Sequence, residues 1–171
     1  MGTRHDSGAE TRWLSERELR AWKGFHRMNR AMSSYLSRRL AQDCGLSPAD
    51  FQVLIAVSEA PAQELRAKDL GSELRWDRRR LSHQLARMES RGTVIRKQCP
   101  HDGRGMIVAL TQAGRVSIEL AAPINLVAVR RCFTDVLTLA QLDALAEISD
   151  ALVANIEHDA ATSTQNQCDA V

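Results

Sequence analysis

The stretch Asp77-Arg78-Arg79-Arg80-Leu81-Ser82-His83-Gln84-Leu85-Ala86-Arg87-Met88-Glu89-Ser90-Arg91-Gly92-Thr93-Val94-Ile95-Arg96-Lys97-Gln98-Cys99 is where the chain changes its period. Up to Gly92 the apolar side chains Leu81, Leu85 and Met88 recur every three or four positions, the spacing of one helix face. Asp77 suits the N-cap of that helix and Gly92 its left-handed stop. From Thr93 to Cys99 the pattern is that of a strand. Pro100-His101-Asp102-Gly103-Arg104-Gly105 is a cluster of turn formers, and Met106-Ile107-Val108-Ala109-Leu110 reads as a second strand. A helix therefore runs straight into one β-hairpin with a long tip.

Working outward, a short helix is expected over about Ala67 to Leu74, with Leu70 and Leu74 inward and a tight turn before Asp77. Before it, Ser47 caps a helix with Pro48 in its first position, burying Phe51, Leu54, Ile55 and Val57 or Ser58 and ending at Ala60-Pro61. The first helix opens on Ser15 and Glu18, which have the spacing of a capping box. It carries Trp22, Phe25, Met28 or Asn29, Met32, Leu36 and Leu40 on one stripe and ends at Gly45. Beyond the hairpin, Thr111 caps a helix bearing Ile118, Ala122, Leu126, Val129, Phe133 and Leu137, with Pro123 inside it as a site of kinking. A last helix carries Leu139, Leu142, Leu145, Ile148, Leu152 and Ile156.

Four helices, a hairpin and two helices define a mostly α protein with a small β-hairpin, arranged as a winged helix-turn-helix with N- and C-terminal dimerisation helices. The expected organisation is a flexible tail over 1–12, a single domain over 13–159 and a flexible tail over 160–171. Within the domain the winged helix-turn-helix covers about 46–110, and the dimerisation helices cover about 15–44 and 112–159. The terminal helices carry more apolar surface than either end of the chain could bury on a core of its own. Two-fold association would cover it, and packing within one chain is the alternative.

Composition agrees with this class and excludes others. The 171 residues suffice for one domain, and 44% hydrophobic with 26% charged residues is a globular balance. Only 9 Gly, 4 Pro and 4% aromatics argue against a β-sandwich or barrel. No apolar run approaches the roughly 20 residues of a membrane span, and residues 1–11 lack the apolar stretch of a secretory signal. Cys44, Cys99, Cys132 and Cys168 are scattered, so a reduced, cytoplasmic protein without disulfides is expected. Enzyme signatures are missing: there is no H-E-x-x-H, P-loop, G-x-S-x-G or C-x-x-C. No catalytic residue, cofactor or metal site is expected; Cys99-Pro100-His101 lacks a second ligand pair.

The charge distribution is uneven. The chain sums to +2, yet the segment from Arg75 to Arg104 holds nine basic and three acidic residues, a local +6. Such an excess marks a polyanion site. On the helix after Asp77, Arg79, Ser82, His83, Ala86 and Ser90 lie opposite the apolar face, with Arg80 and Arg87 along one flank. Arg78, Arg79, Arg80, Ser82, His83 and Arg87 are thus the candidate DNA-binding residues for a major groove, against the alternative of an ordinary solvated helix face. At the hairpin tip, Asp102 can hold the guanidinium of Arg104 in a fixed direction, and Arg104 is shaped to enter a minor groove. A generic charged turn is the alternative there. On the first helix Trp22 and His26 are one turn apart and could line a pocket for a small aromatic ligand, or pack in a dimer core. Cys99, beside Arg96, Lys97 and His101, is the rival sensor.

Gly45-Leu46-Ser47, the run Leu81 to Glu89, Arg91-Gly92, Asp102-Gly103-Arg104-Gly105 and Leu110-Thr111-Gln112-Ala113-Gly114 together resemble the multiple antibiotic resistance regulator (MarR) family. Thr93 departs from that pattern, where Leu is commoner. The resemblance implies a homodimeric bacterial transcription factor whose recognition helix reads the major groove and whose wing arginine reaches the minor groove. It implies that the terminal helices form the dimer and that ligands bind between the dimer and DNA-binding regions. Peroxide sensors of the family carry their cysteine near the start of the first helix, where this chain has none. The expected function is a sequence-specific regulator of double-stranded DNA, a repressor on an inverted-repeat operator released by a small molecule. The alternatives are a redox regulator using Cys99, a thiol oxidoreductase, and a helical adaptor that binds no DNA.

Overall fold

The computed structural model describes residues 12–99 and 105–168, with side chains as far as residue 162. Its elements are α1 (Glu16–Cys44), α2 (Pro48–Glu59), a 3₁₀ turn (Pro61–Gln63), β1 (Glu64–Arg66), α3 (Ala67–Glu73), α4 (Arg78–Ser90), β2 (Val94–Gln98), β3 (Met106–Leu110), α5 (Gln112–Cys132), a second 3₁₀ turn (Thr134–Val136) and α6 (Leu139–Cys168).

The caps read from the sequence are the caps observed. Ser15 Oγ accepts from the Glu18 N–H while Glu18 Oε2 accepts from the Ser15 N–H at 2.7 Å. Gly45 ends α1 with φ 65, the left-handed conformation that a Cβ disfavours. Asp77 Oδ1 accepts the Arg80 N–H at 2.8 Å at the start of α4, and Thr111 Oγ1 accepts the Gly114 N–H at 3.0 Å at the start of α5.

The winged segment closes around one core. Val53, Leu54 and Val57 of α2, Leu70 of α3, Leu85 and Met88 of α4, Val94 of β2 and Val108 of β3 are buried together. The hairpin expected from the sequence is part of a three-stranded antiparallel sheet in the order β1-β3-β2. β1 pairs Leu65 with Val108, and β2 pairs Val94 with Leu110. β1 escapes a periodicity reading because it has three residues and one apolar side chain. α2 also differs from expectation: Phe51 and Ile55 are half-buried, whereas Val53 and Ala56 are buried. Helices on both sides and β3 pack against α2, so it buries nearly its whole circumference and shows no single stripe.

Two boundaries in the C-terminal half move. α5 passes through Pro123 and stops at Cys132, so Phe133 and Leu137 lie beyond it. The stop follows from a new start, since the Thr138 N–H donates to Gln141 Oε1 at 2.9 Å and the Gln141 N–H to Thr138 Oγ1 at 3.3 Å, a capping box like those at Ser15 and Ser47. α6 then continues through Cys168, where an irregular tail was expected from residue 160 on. Ala160 and Ala161 favour helix despite the polar composition, and Thr162 Oγ1 satisfies itself on the His158 carbonyl at 2.9 Å. The tail expected over 1–12 lies outside the described residues except for Arg12, which pairs with Glu18 at 2.7 Å.

One joint connects the wing to α5. Thr111 Oγ1 donates to the Gly92 carbonyl at 2.6 Å, and the Thr111 N–H donates to the Thr93 carbonyl at 3.2 Å. A Cβ on Gly114 would stand 2.0 Å from the Thr93 carbonyl oxygen, so no other residue fits without moving backbone.

Candidate nucleic-acid interface

α4 presents two unlike faces. Leu81, Leu85 and Met88 are buried, while Arg78, Arg79, Arg80, Ser82, His83 and Arg87 are all exposed, as the periodicity required. Their common carrier is a helix seated on the core, which holds its outer face in place without help from that face. Asp102 and Arg104, the two wing candidates, lie outside the described residues. The strands that lead to the wing, β2 and β3, are paired along their full length from Val94↔Leu110 to Gln98↔Met106.

The local positive charge is thinner than the sequence count suggests. Arg91 is paired with Asp50, Lys97 with Glu64 at 2.7 Å and Arg75 with Glu157 at 2.6 Å, all with carboxylates from outside the basic segment. Arg96 is held by Glu89 through two side-chain bonds at 2.5 and 2.9 Å. Hydrogen bonds from Arg96 keep the Glu89 carboxyl below the usual carboxylate range. Among the described residues, the arginines of this segment that form no salt bridge lie on the outer side of α4 itself: Arg78, Arg79, Arg80, whose backbone N–H and charge help to lower the Asp77 pKa, and Arg87.

Three residues that hold this helix were not among the sequence candidates. Asp50 is 1% exposed and accepts from four groups: the Ser47 N–H at 3.0 Å, Ser47 Oγ at 2.7 Å, Gln84 Nε2 at 2.6 Å, and Arg91. Burial by itself raises the Asp50 pKa, but the bonds from Arg91 and Ser47 overcome that and leave it below the ordinary carboxylate value. Gln84, 2% exposed, donates to Asp50 and accepts from Arg87 with its other atom. The start of α2 is therefore tied to the inner face and the end of α4. Two signals could have disclosed this: the Ser47-x-x-Asp50 spacing of a capping box, and a polar Gln84 standing between Leu81 and Leu85 on an otherwise apolar face. The third residue is Trp76, in the turn between α3 and α4, whose ring lies 4.3 Å from the Arg80 guanidinium carbon.

The sensor candidates fare differently. Trp22 and His26 do meet, edge to face with ring centroids 4.1 Å apart, and Phe25 stacks beside Trp22 at 6.1 Å. The depression they line is bounded by α1 alone and is flanked by four basic side chains, Arg20, Lys23, Arg27 and Arg30, and one acidic one, Glu16. Cys99 is 4% exposed, with its N–H donating to the Gly105 carbonyl at 2.8 Å, so its thiol is withdrawn from solvent at the root of the wing. Among the described residues no group of three or more His, Cys, Asp or Glu side chains could hold a metal ion, and no helix is long and apolar enough to cross a membrane.

A helix-turn-helix whose second helix offers an exposed basic face, followed at once by a sheet and a wing, defines a winged helix-turn-helix protein. The MarR family matches residues 45–105 of this chain. A crystal structure of AbsC, a MarR family transcriptional regulator from Streptomyces coelicolor, is similar at 35% identity with a TM-score of 0.80, covering 86% of this chain and 97% of that one. Sco3205, a MarR family transcriptional regulator from the same organism crystallised in complex with DNA, is 33% identical with a TM-score of 0.81, covering 83% and 89%. The uncharacterized HTH-type transcriptional regulator YkoM of Bacillus subtilis is 26% identical over 119 residues, 70% of this chain and 75% of its own. This chain belongs to the MarR family, a family of transcriptional regulators.

Proposed function

We propose that the protein is a sequence-specific regulator of double-stranded DNA, acting as a homodimeric repressor on an inverted-repeat operator. The observation that carries this reading is the exposed face of α4. Arg78, Arg79, Arg80, Ser82, His83 and Arg87 stand outward on a helix anchored by its opposite side, which is the disposition a major groove requires. The likeness to Sco3205, crystallised with DNA, supports it. In this reading Arg104, steadied by Asp102, enters the minor groove from the wing. The terminal helices α1, α5 and α6 cover one another across a two-fold, making the operator symmetric with half-sites about 10 bp apart.

Trp22 and His26 form the aromatic floor of an effector site that a second copy would roof over, and the four surrounding basic side chains suit a small aromatic acid. The decisive experiment selects bound duplexes from a random pool and sequences them. An inverted repeat bound by two chains, with affinity falling steeply as salt rises, is the expected result. An asymmetric site bound by one chain defeats the symmetric reading, and the absence of any selected sequence defeats DNA recognition. An aromatic acid that quenches tryptophan fluorescence and releases the duplex supports the effector site, with Cys99→Ser responding like the parent.

A further inference from the structure

The three consecutive arginines at the start of α4 are not equivalent. Resting on the DNA-binding reading above, we propose that Arg80 is the one that reads a base, that Trp76 is the residue that aims it, and that Arg78 and Arg79 contact phosphates.

Arg80 is fixed at both ends. Its N–H donates to Asp77 Oδ1 at 2.8 Å, and its guanidinium carbon sits 4.3 Å from the centre of the Trp76 ring. The ring is itself held. Trp76 is half-buried against the core of the winged segment, and its N–H donates to the Gly71 carbonyl at 2.9 Å. The turn just before it is made by Arg75 in the left-handed region, φ 52. Arg78 and Arg79 are exposed, and neither side chain has a hydrogen bond, ion pair or ring contact among the described residues.

The way Arg80 is held decides its use. A carboxylate partner occupies the N–H edge of a guanidinium, as Asp50 does for Arg91 and Glu89 for Arg96. An aromatic ring below the guanidinium carbon orients the group without taking a carboxylate's place at its N–H donors. Paired bonds to the O6 and N7 atoms of guanine need that planar fork in one orientation, whereas a phosphate accepts a positive charge from many directions. Holding Arg80 on the ring also moves the ordering of a flexible side chain from docking to folding. Among the described residues, Arg80 is the outward arginine of α4 that is oriented by a ring and has no side-chain hydrogen bond at its edge, since Arg87 already donates to Gln84.

The test uses duplexes selected by the parent protein, read for base preference and for salt slope. One guanine in each half-site should depend on Arg80. Exchanging its G·C pair for A·T should weaken the parent by about 5- to 150-fold and leave Arg80→Ala much less affected, and 7-deazaguanine, which removes N7 alone, should give a smaller loss. Arg79→Ala should keep the guanine preference and reduce the salt slope by about 1. Trp76→Leu should flatten the guanine preference at an unchanged salt slope, Trp76→Phe should restore most of it, and Trp76→Leu should cost nothing further in the Arg80→Ala background. Arg80→Lys, which keeps the charge and a donor for guanine but loses the planar fork, leaves the tryptophan unchanged; it should weaken the guanine preference while retaining the salt slope. Additive losses for Trp76→Leu and Arg80→Ala, a guanine preference that survives in Arg80→Ala or is undiminished in Arg80→Lys, or one that vanishes in Arg79→Ala would each overturn the assignment. A parent that selects no sequence would instead remove the DNA-binding reading on which it rests.

Discussion

In the winged segment α2, α3, α4, β2 and β3 each contribute at least one fully buried side chain, from Leu54 and Leu70 to Met88, Val94 and Val108. Along α6 none of the described side chains is buried, and Leu142 and Leu145 reach only half-burial. Leu139 at the start of α6 is 80% exposed, Trp13 ahead of α1 is 85% exposed, and Trp22, Leu120, Leu126, Ile148, Leu152 and Ile156 are open as well. One half of the molecule has its core inside the chain. The other half displays the makings of a core on its surface, more apolar area than a monomer ordinarily shows. The difference teaches that the same kind of helical stripe has two meanings, settled by whether a partner element exists within the chain.

The largest effect should come from the closed half. Leu85→Ala truncates a side chain that is 2% exposed in the central cluster and should lower unfolding stability by about 2–5 kcal/mol in a urea titration. A loss below about 1 kcal/mol would mean that α4 is not seated as described. Next comes the buried carboxylate. Asp50→Ala deprives Gln84 and Arg91 of their common acceptor. Since Arg91 still reaches water, a loss of about 2–3 kcal/mol is expected, below the full cost of breaking a wholly buried pair. The sign of its pH dependence follows from the lowered pKa. The stabilisation is complete above the unfolded value of about 4 and disappears as pH falls through the folded one. Urea titrations between pH 7 and 3 should therefore show the parent and Asp50→Asn converging in acid, and a constant gap between them would exclude this assignment.

Smaller changes are expected at the surface, first in the open half. Leu152→Ala trims an exposed side chain and should leave the winged segment intact, while weakening self-association by about 1–2 kcal/mol per copy. Sedimentation against concentration would register it; a parent that sediments as a monomer would show that the stripe is not a two-fold interface. The least change is expected for Arg104→Ala. It should reduce the salt slope of DNA binding by about 1 and flatten any A·T preference at the operator edges, without altering the positions read by α4. Asp102→Ala should give a milder form of the same loss.

Legibility in the sequence followed the same division of the molecule. The α4 helix, its cap at Asp77 and the strand after Gly92 could be read directly, because a periodic stripe ends at a residue with a clear conformational role. The outward position of Arg79 and His83 then followed from helical geometry alone. β1 was invisible, because three residues give no period. The burial of Val53 and Ala56 was missed because a helix surrounded on all sides has no polar face to set against an apolar one. The pairing of Arg75 with Glu157 and of Arg91 with Asp50 joins residues 82 and 41 positions apart. A charge count along the chain cannot see such partners, so it overstated the positive surface. Trp76 was passed over for a related reason: its value lies in the direction of a neighbouring side chain, and direction is not written in spacing.

The close contact at Gly114 has a mechanical consequence. With a Cβ excluded by the Thr93 carbonyl, and Thr111 bonded to Gly92 and Thr93, α5 is clamped at its base to the root of the wing. Nine residues on, Pro123 lacks the N–H that would meet the Glu119 carbonyl, so α5 gives most easily at its middle. A rod of 21 residues is about 31 Å long. A sideways shift of about 3 Å at its far end corresponds to a tilt of about 5° at a stiff base. Any such movement therefore has two outlets, flexure at Pro123 or rotation of the wing root as a body. The ratio of those two stiffnesses sets how much displacement among the terminal helices arrives at the recognition surface.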